Sequence, residues 1–199
     1  MKVSTTNTFK NKVSRVEWLD KNANKIASGL LKDHAQDLID DFHDGILKRE
    51  FPLKDLKPET ISGKRRAGYD FPEVPLVGKG DRRGSKRDSY INMLRLMRVK
   101  KGWAIAISKG NHWSGVPLKM LFEVHEKGAK IAKKDGTIIQ IPKRPAWRYA
   151  QRKFHSELKT SFKAEYNKMI TGWIKRGSWK SKLDKFIQID KTKDAHEKE

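Results

Sequence analysis

The chain has 199 residues and a mass of 23.0 kDa, a size that suits one hydrophobic core and argues against a second large domain. Its 45 Lys and Arg against 24 Asp and Glu give a net charge of +21, which favours a polyanion or an acidic protein as partner. The absence of cysteine excludes disulfides and thiolate chemistry, and the lack of a long apolar run predicts neither a signal peptide nor a membrane span.

The first predicted element is a long amphipathic helix from Arg15 to Leu47. Apolar or neutral residues recur there at steps of three or four, which is the helical period. Ser14 and Glu17 form a capping-box pattern at its start, and Gly45 predicts fraying near its end. The helix holds four basic and seven acidic residues, so the positive charge lies in the rest of the chain. Residues 1–13 are expected to form an N-terminal arm.

A basic segment follows the first helix. Arg49 to Asp88 contains four prolines and five glycines, which predicts a long extended loop. Within it, the basic segment runs from Lys64 to Arg87 and holds eight basic and three acidic residues. Glycines let backbone N–H groups and side chains approach a phosphate chain closely, so we expect contacts to DNA phosphates here. A merely solvated loop is the other interpretation, and the sequence does not choose between the two. The expected phosphate-contact residues are Lys64, Arg65, Arg66, Arg82, Arg83, Lys86 and Arg87.

The middle of the chain predicts a hairpin, a short helix and a further strand. Tyr90 to Val99 and Gly102 to Ser108 favour two strands joined by a tight basic turn. Pro117 to Glu126 favours a helix that Gly128 stops. Thr137 to Ile141 favours a third strand, introduced by an Asp-Gly turn. These elements predict a small antiparallel sheet.

The last predicted helix begins at Pro145, whose fixed φ and missing N–H suit the first helical position. Apolar residues then follow one face as far as Ile170, and a short amphipathic piece is expected at residues 182–189. The predicted fold is therefore α+β, with the small sheet packed against long N- and C-terminal helices. The predicted division is a domain at residues 14–175 and a basic C-terminal extension at 176–199.

The junction before the last helix is expected to be structural. Pro145 presets the helix start, Trp147 fills the space beneath it, and Arg144 is expected to hold a neighbouring carboxylate. The residues assigned to this structural motif are Gly128, Pro142, Arg144, Pro145 and Trp147.

Motifs for catalysis and metal binding are weak. The six histidines form no His-x-x-x-His pair, and the glycines at residues 78–84 lack the Gly-Lys-Ser/Thr ending of a phosphate-binding loop. Asp40 and Asp41 lie on a helix face that favours a solvated carboxylate pair over general acid–base work. We therefore predict no catalytic residue, no cofactor site and no metal site. The tryptophans could stack on nucleic-acid bases, but their spacing favours core positions.

Three stretches occur in an order that is typical of one protein family. Pro52 to Arg65 is similar to a "pLkpaTi..Kr" pattern, and Pro75 to Ser89 follows "pLv.tG.L..Si" more loosely. Phe122 to Gly128, followed by Ile141 to Trp147, is similar to "hE.G....ipaRPfl". In this order the chain resembles the virion-morphogenesis proteins of the tailed-bacteriophage neck, also called tail-completion or head-tail joining proteins.

The resemblance implies a non-enzymatic structural subunit that forms a ring around the DNA channel. The implied partners are copies of itself, adjacent portal, adaptor, tail-terminator or tail-tube proteins, and double-stranded DNA held by nonspecific phosphate contacts, with no membrane. The implied location is the virion neck after assembly in the host cytoplasm. The alternative is a stand-alone, sequence-nonspecific nucleic-acid-binding protein, which the charge and the basic segment favour. A nuclease ranks third.

Overall fold

The computed structural model of the chain describes residues 4–81, 89–100, 102–112, 115–176 and 180–185. Its fold is α+β, as the sequence predicted. The elements are α1 (Ser4–Leu47), α2 (Pro58–Arg66), β1 (Leu94–Val99), β2 (Gly102–Ile107), α3 (Leu118–Lys127), β3 (Ala129–Ala132), β4 (Ile138–Ile141) and α4 (Ala146–Arg176). Residues 180–185 are also helical. None of the helices within these residues is long and apolar enough to cross a membrane.

The first helix is longer than the sequence predicted. It begins at Ser4, so Ser14 lies inside the helix and does not cap it. No proline or glycine interrupts residues 4–13, and nothing therefore stops the helix there. Gly45 has a packing role that the sequence did not indicate, because a Cβ at this position would overlap the ring of Phe51. The glycine lets that ring pack directly on the helix backbone.

Helix α2 lies inside the segment predicted to be extended. Pro58 occupies its first turn, where a missing N–H costs nothing, and Glu59 places a negative charge near the positive end of the helix dipole. Lys64, Arg65 and Arg66 occupy the last turn, where positive charge is favoured. These three predicted phosphate-contact residues are thus on a helix and not in a loop.

The strands form two separate two-stranded sheets. One pairs β1 with β2, which confirms the predicted hairpin, although residues 90–93 are a buried turn and not strand. The other pairs β4 with β3, which the sequence did not predict, in an antiparallel register that sets Ala129 opposite Ile141. In the turn between them, the Thr137 N–H donates to Asp135 Oδ1 at 2.9 Å.

The chain divides into two compact units with separate cores, whereas its length predicted one. The mixed unit comprises Ala35–Met97 and Ala104–Ser156, and the helical unit comprises Met1–His34, Arg98–Trp103 and Glu157–Glu199. The core of the mixed unit includes Phe42, Ile46, Phe51, Tyr90, Ile91, Met93, Leu118, Ala146 and Ala150. The core of the helical unit consists of Leu19, Ile26, Leu30, Met169, Trp173 and Leu183. The predicted boundaries at residues 14 and 176 stay predictions.

Candidate functional site

The basic segment contains seven predicted phosphate-contact residues. Three of them lie on α2. The other four fall outside the described residues, and their role stays a prediction; they are Arg82, Arg83, Lys86 and Arg87.

Lys64 has a structural role that the sequence did not indicate. Its Nζ donates to the carbonyl of Val74 at 2.8 Å and to that of Phe71 at 3.4 Å, and it lies 5.2 Å from the centre of the Tyr69 ring. Burial lowers the pKa of Lys64, while the nearby carboxylate of Asp81 acts in the opposite direction. Lys64 therefore holds the turn at residues 71–74 against α2.

Arg65 and Arg66 lie on the exposed side of α2. Arg65 forms an ion pair with Glu73, and both side chains are largely in solvent, where such pairs contribute little to stability. Arg66 is exposed. Of the three predicted contacts on this helix, these two therefore keep their charges at the surface.

The glycines that follow α2 form a turn around a buried carboxylate. Asp81 is only 1% exposed, and the Gly78 N–H donates to its Oδ2 at 2.6 Å. A Cβ at position 78 would lie 2.9 Å from that same oxygen, so a larger residue would displace the carboxylate. In residues 78–81 the carboxylate thus closes the chain on itself.

The junction before α4 is organised by Glu126, which lies in the stretch that resembles the family pattern but was given no role of its own. Its Oε1 accepts the backbone N–H of Trp147 at 2.9 Å and the hydroxyl of Tyr90 at 3.3 Å. Burial raises the pKa of Glu126, although the hydrogen bonds that it accepts act against this rise. A carboxylate at this position satisfies a free N–H of the first helical turn and faces the positive end of the helix dipole.

Arg144 is the charged residue at the centre of the junction and is 9% exposed. Its backbone N–H donates to the carbonyl of His125 at 2.7 Å, and its Nε donates to the carbonyl of Lys54 at 3.1 Å. The expected carboxylate partner is therefore replaced by a backbone carbonyl among the described residues. Burial lowers the pKa of Arg144, but a guanidinium stays charged in proteins.

His125 is held in its neutral form near neutral pH. Burial, together with the positive charges of Arg144 and His112, lowers the pKa of His125 to about 4. Its ring meets the Tyr90 ring edge-on at 5.1 Å between centres. Burial also raises the pKa of Tyr90 well above its ordinary range, with the nearby Glu126 acting in the same direction.

The remaining motif residues shape the backbone of the junction. Gly128 has φ 77°, a region that favours glycine. Pro145 directly precedes α4, so the predicted helix start is correct to one residue, and Pro142 lies between β4 and α4. Trp147 is half-buried, and its ring meets the Phe42 ring edge-on at 5.9 Å. The structure thus brings the five predicted motif residues into one region, and Glu126 accepts a hydrogen bond from one of them, Trp147.

The described tryptophans make contacts within their own unit. Trp173 packs against Trp18 with ring centres 5.0 Å apart in the helical unit. In the same unit, Lys32 and Arg98 lie 5.1 and 5.4 Å from the centre of the Trp103 ring. Trp113 and Trp179 lie outside the described residues. Core packing and cation–π contacts account for Trp147, Trp173 and Trp103 without a nucleic acid.

Among the residues for which the structure gives positions, no group of three or more His, Asp or Glu side chains is arranged to hold a metal ion. No family model matches the chain, and neither does any curated protein or solved structure.

Proposed function

We propose that this chain is a ring-forming structural protein of a tailed-phage neck, a head-tail connector or tail-completion protein that surrounds the DNA channel. The observation that carries the proposal is the junction before α4. Its residues come from the two stretches of the chain that resemble the closing part of the family pattern, and these stretches are separated in sequence.

The contacts of the junction account for the individual positions of that pattern. Glu126 accepts the N–H of Trp147, and Arg144 donates its N–H to the carbonyl of His125. A Cβ on Gly128 would lie 3.1 Å from the Ile141 carbonyl oxygen. Each of these positions has an architectural task, which is what a structural family is expected to preserve.

Charge provides secondary support. The net charge of +21 suits a surface that faces DNA, while the acidic residues of α1 suit contact with a basic neighbour in a ring. A neck passes any genome sequence, so phosphate contacts without base recognition are the expected mode.

Genetic complementation combined with electron microscopy tests the proposal. In a phage that lacks the gene for this chain, we expect the wild-type chain to restore tailed particles and to appear as a ring at the neck. Gly128→Ala, which disturbs the junction, is expected to restore them poorly, whereas Gly63→Ala, with open space around its Cβ, is expected to restore them fully. Purified virions that do not contain the chain would overturn the proposal.

The second candidate function is sequence-nonspecific nucleic-acid binding, which the basic segment favours. Its test is the salt dependence of binding to duplex DNA, where each lost phosphate contact flattens the slope of log K against log salt by up to about 0.9. The test variant replaces four residues by Gln: Arg82, Arg83, Lys86 and Arg87. The charge-matched control replaces four exposed lysines by Gln: Lys119, Lys134, Lys175 and Lys180. Equal slopes for the two variants would assign the segment to protein docking.

A further inference from the structure

The mixed unit contains a cavity of about 400 Å³ between the chain that leads into α2 and the end of β4. It is lined mainly by polar and cationic residues, including Lys54, Lys57, Thr60, Gln140 and Arg144. Within the residues that the structure describes, none of the residues that line the cavity is a predicted phosphate contact.

Arg144 gives the cavity a buried positive charge. The side chain is 9% exposed, and within the described residues its one side-chain hydrogen bond runs from Nε to the Lys54 carbonyl. Its two terminal amino groups have no acceptor among those residues. A buried charge is costly where it has no ion-pair partner, as is the case for Arg144 among the described residues, because burial removes the water that would otherwise stabilise the charge.

The start of α2 adds to the positive potential at the same place. Lys57, at the N-cap, makes no side-chain capping hydrogen bond, and Thr60 lies in the first turn. The first N–H groups of a helix have no acceptor within the helix, and they carry the positive end of its dipole. The helix terminus and the buried guanidinium are independent features that favour the same kind of ligand.

The acidic residue on the wall does not neutralise this charge. Asp55 lines the cavity, but its Oδ1 is engaged by Arg49 at 2.6 Å. Lys54 and Lys57 are exposed at the rim. The cavity therefore combines one buried and two rim cations with a carboxylate that already has a partner.

We propose that this cavity binds a carboxylate side chain from an acidic segment of a partner protein. A guanidinium presents two parallel donors that match the two oxygens of a carboxylate. The phosphates of duplex DNA lie on the outside of a broad cylinder and cannot enter the cavity. An Asp or Glu side chain extends from its backbone and can enter it. The inference goes beyond the proposed function, since it holds for a virion protein and for a stand-alone protein alike.

The test measures binding of a fluorescein-labelled oligoglutamate peptide to the full chain by fluorescence anisotropy. The double variant Lys54→Gln/Lys57→Gln is expected to weaken binding by about tenfold, since charge-assisted contacts are lost. The control Lys119→Gln/Lys134→Gln removes the same charge from exposed positions that do not line the cavity, and is expected to change binding by less than about twofold. Arg144→Lys keeps the positive charge but removes the two parallel N–H donors of the guanidinium, and it is also expected to weaken binding by about tenfold.

NMR of the wild-type chain locates the ligand and does not depend on whether an Arg144 variant folds. The Nε–Hε resonance of Arg144 is expected to shift when the peptide is added and to stay in place when inorganic phosphate or duplex DNA is added. Equal weakening by the two double variants would show that the peptide binds to diffuse surface charge and would refute the proposal. A shift with phosphate or DNA but not with the peptide would also refute it and would identify the ligand as a phosphate group.

Discussion

Replacing Gly128 by alanine tests whether the junction before α4 depends on its backbone geometry. Gly128 has φ 77° and ψ 164°, a combination that is essentially restricted to glycine. A Cβ at this position would lie 3.1 Å from the Ile141 carbonyl oxygen and 3.3 Å from the Lys143 backbone nitrogen. Both atoms belong to the backbone and cannot rotate away as a side chain would. Relief of the clash therefore requires movement of β4 or of the chain that follows it.

Two effects determine the size of this change. The backbone conformation costs a non-glycine residue about 1–3 kcal/mol. The close contact with fixed backbone adds about 1 kcal/mol, at the lower end of the range for overpacking. We therefore expect Gly128→Ala to lower the free energy of unfolding by about 2–4 kcal/mol. For a chain of this size, that loss lowers Tm by roughly 4–16 °C.

Urea and thermal denaturation followed by circular dichroism measure the effect, and Gly63→Ala is the matched control. Gly63 lies in α2 with no atom within 4 Å of its hypothetical Cβ. Alanine is the better helix former there by about 0.5–1 kcal/mol, so the control is expected to be slightly more stable than the wild type. If Gly128→Ala unfolds at the same urea concentration as the wild type, the junction does not need glycine and its described geometry is wrong.

Three further predictions concern side chains of the mixed unit. Trp147→Ala is expected to lower the free energy of unfolding by about 2–3 kcal/mol, which is less than the ~3–5 kcal/mol for a fully buried ring, because Trp147 is half-buried. Trp147→Phe is expected to cost less than half as much as Trp147→Ala. An unchanged urea midpoint for the alanine variant would contradict the contact with Phe42. Because the pKa of His125 is about 4 in the fold and about 6.5 in the unfolded chain, the unfolded state takes up the proton first, and stability falls as pH is lowered from about 6.5 to about 4. His125→Gln removes this part of the acid sensitivity, so parallel stability curves for the two proteins would refute it. Lys64→Met is expected to lower the free energy of unfolding by about 1–2 kcal/mol, because the Lys64 ammonium donates hydrogen bonds within the chain. For the same reason the variant is expected to leave the slope of log K against log salt for DNA binding unchanged. A flatter slope would show that Lys64 does contact a phosphate.

The elements that could be predicted from the sequence are those with local signals. Pro145 fixes its own φ whatever surrounds it, and α4 begins at the next residue. The hairpin follows from two apolar runs joined by a short turn, and α3 follows from an apolar face bounded by Pro117 and Gly128. For α2, Pro58 and Glu59 were equally local signals of a helix start. The many prolines and glycines around them outweighed these signals in the prediction of an extended loop.

Other features depend on contacts that no local pattern contains. Strand β3 carries no alternating pattern of buried and exposed residues, and it is a strand because its backbone pairs with β4. The apolar stripe of α1 is continuous from Leu19 to Ile46, yet Leu19 belongs to the core of the helical unit and Ile46 to that of the mixed unit. Periodicity shows that a helix has a buried face but not how many cores that face serves. For this reason the sequence predicted one core where the structure has two.

Buried polar residues are the hardest part of the site to predict. Glu126 and Asp81 look like the other acidic residues of a highly charged chain, and only the folded structure shows that they accept backbone N–H groups from Trp147 and Gly78. In the sequence, a carboxylate at the surface looks the same as one that caps a helix or turn. What distinguishes them is the presence of a donor from a distant or turned-back part of the chain.

Arg144 connects the architecture of the junction with the proposed binding of a carboxylate. Its backbone N–H and its Nε fix the relation between α3, the segment before α2 and the start of α4. These bonds leave the terminal amino groups without an acceptor among the described residues, and within that part of the chain the free-energy cost of burying the Arg144 charge is not compensated by a carboxylate. An incoming carboxylate would recover part of that free energy without any rearrangement, because the donor is already held in position. A lysine could supply the charge but not the simultaneous Nε bond, which gives a physical reason for arginine at this position.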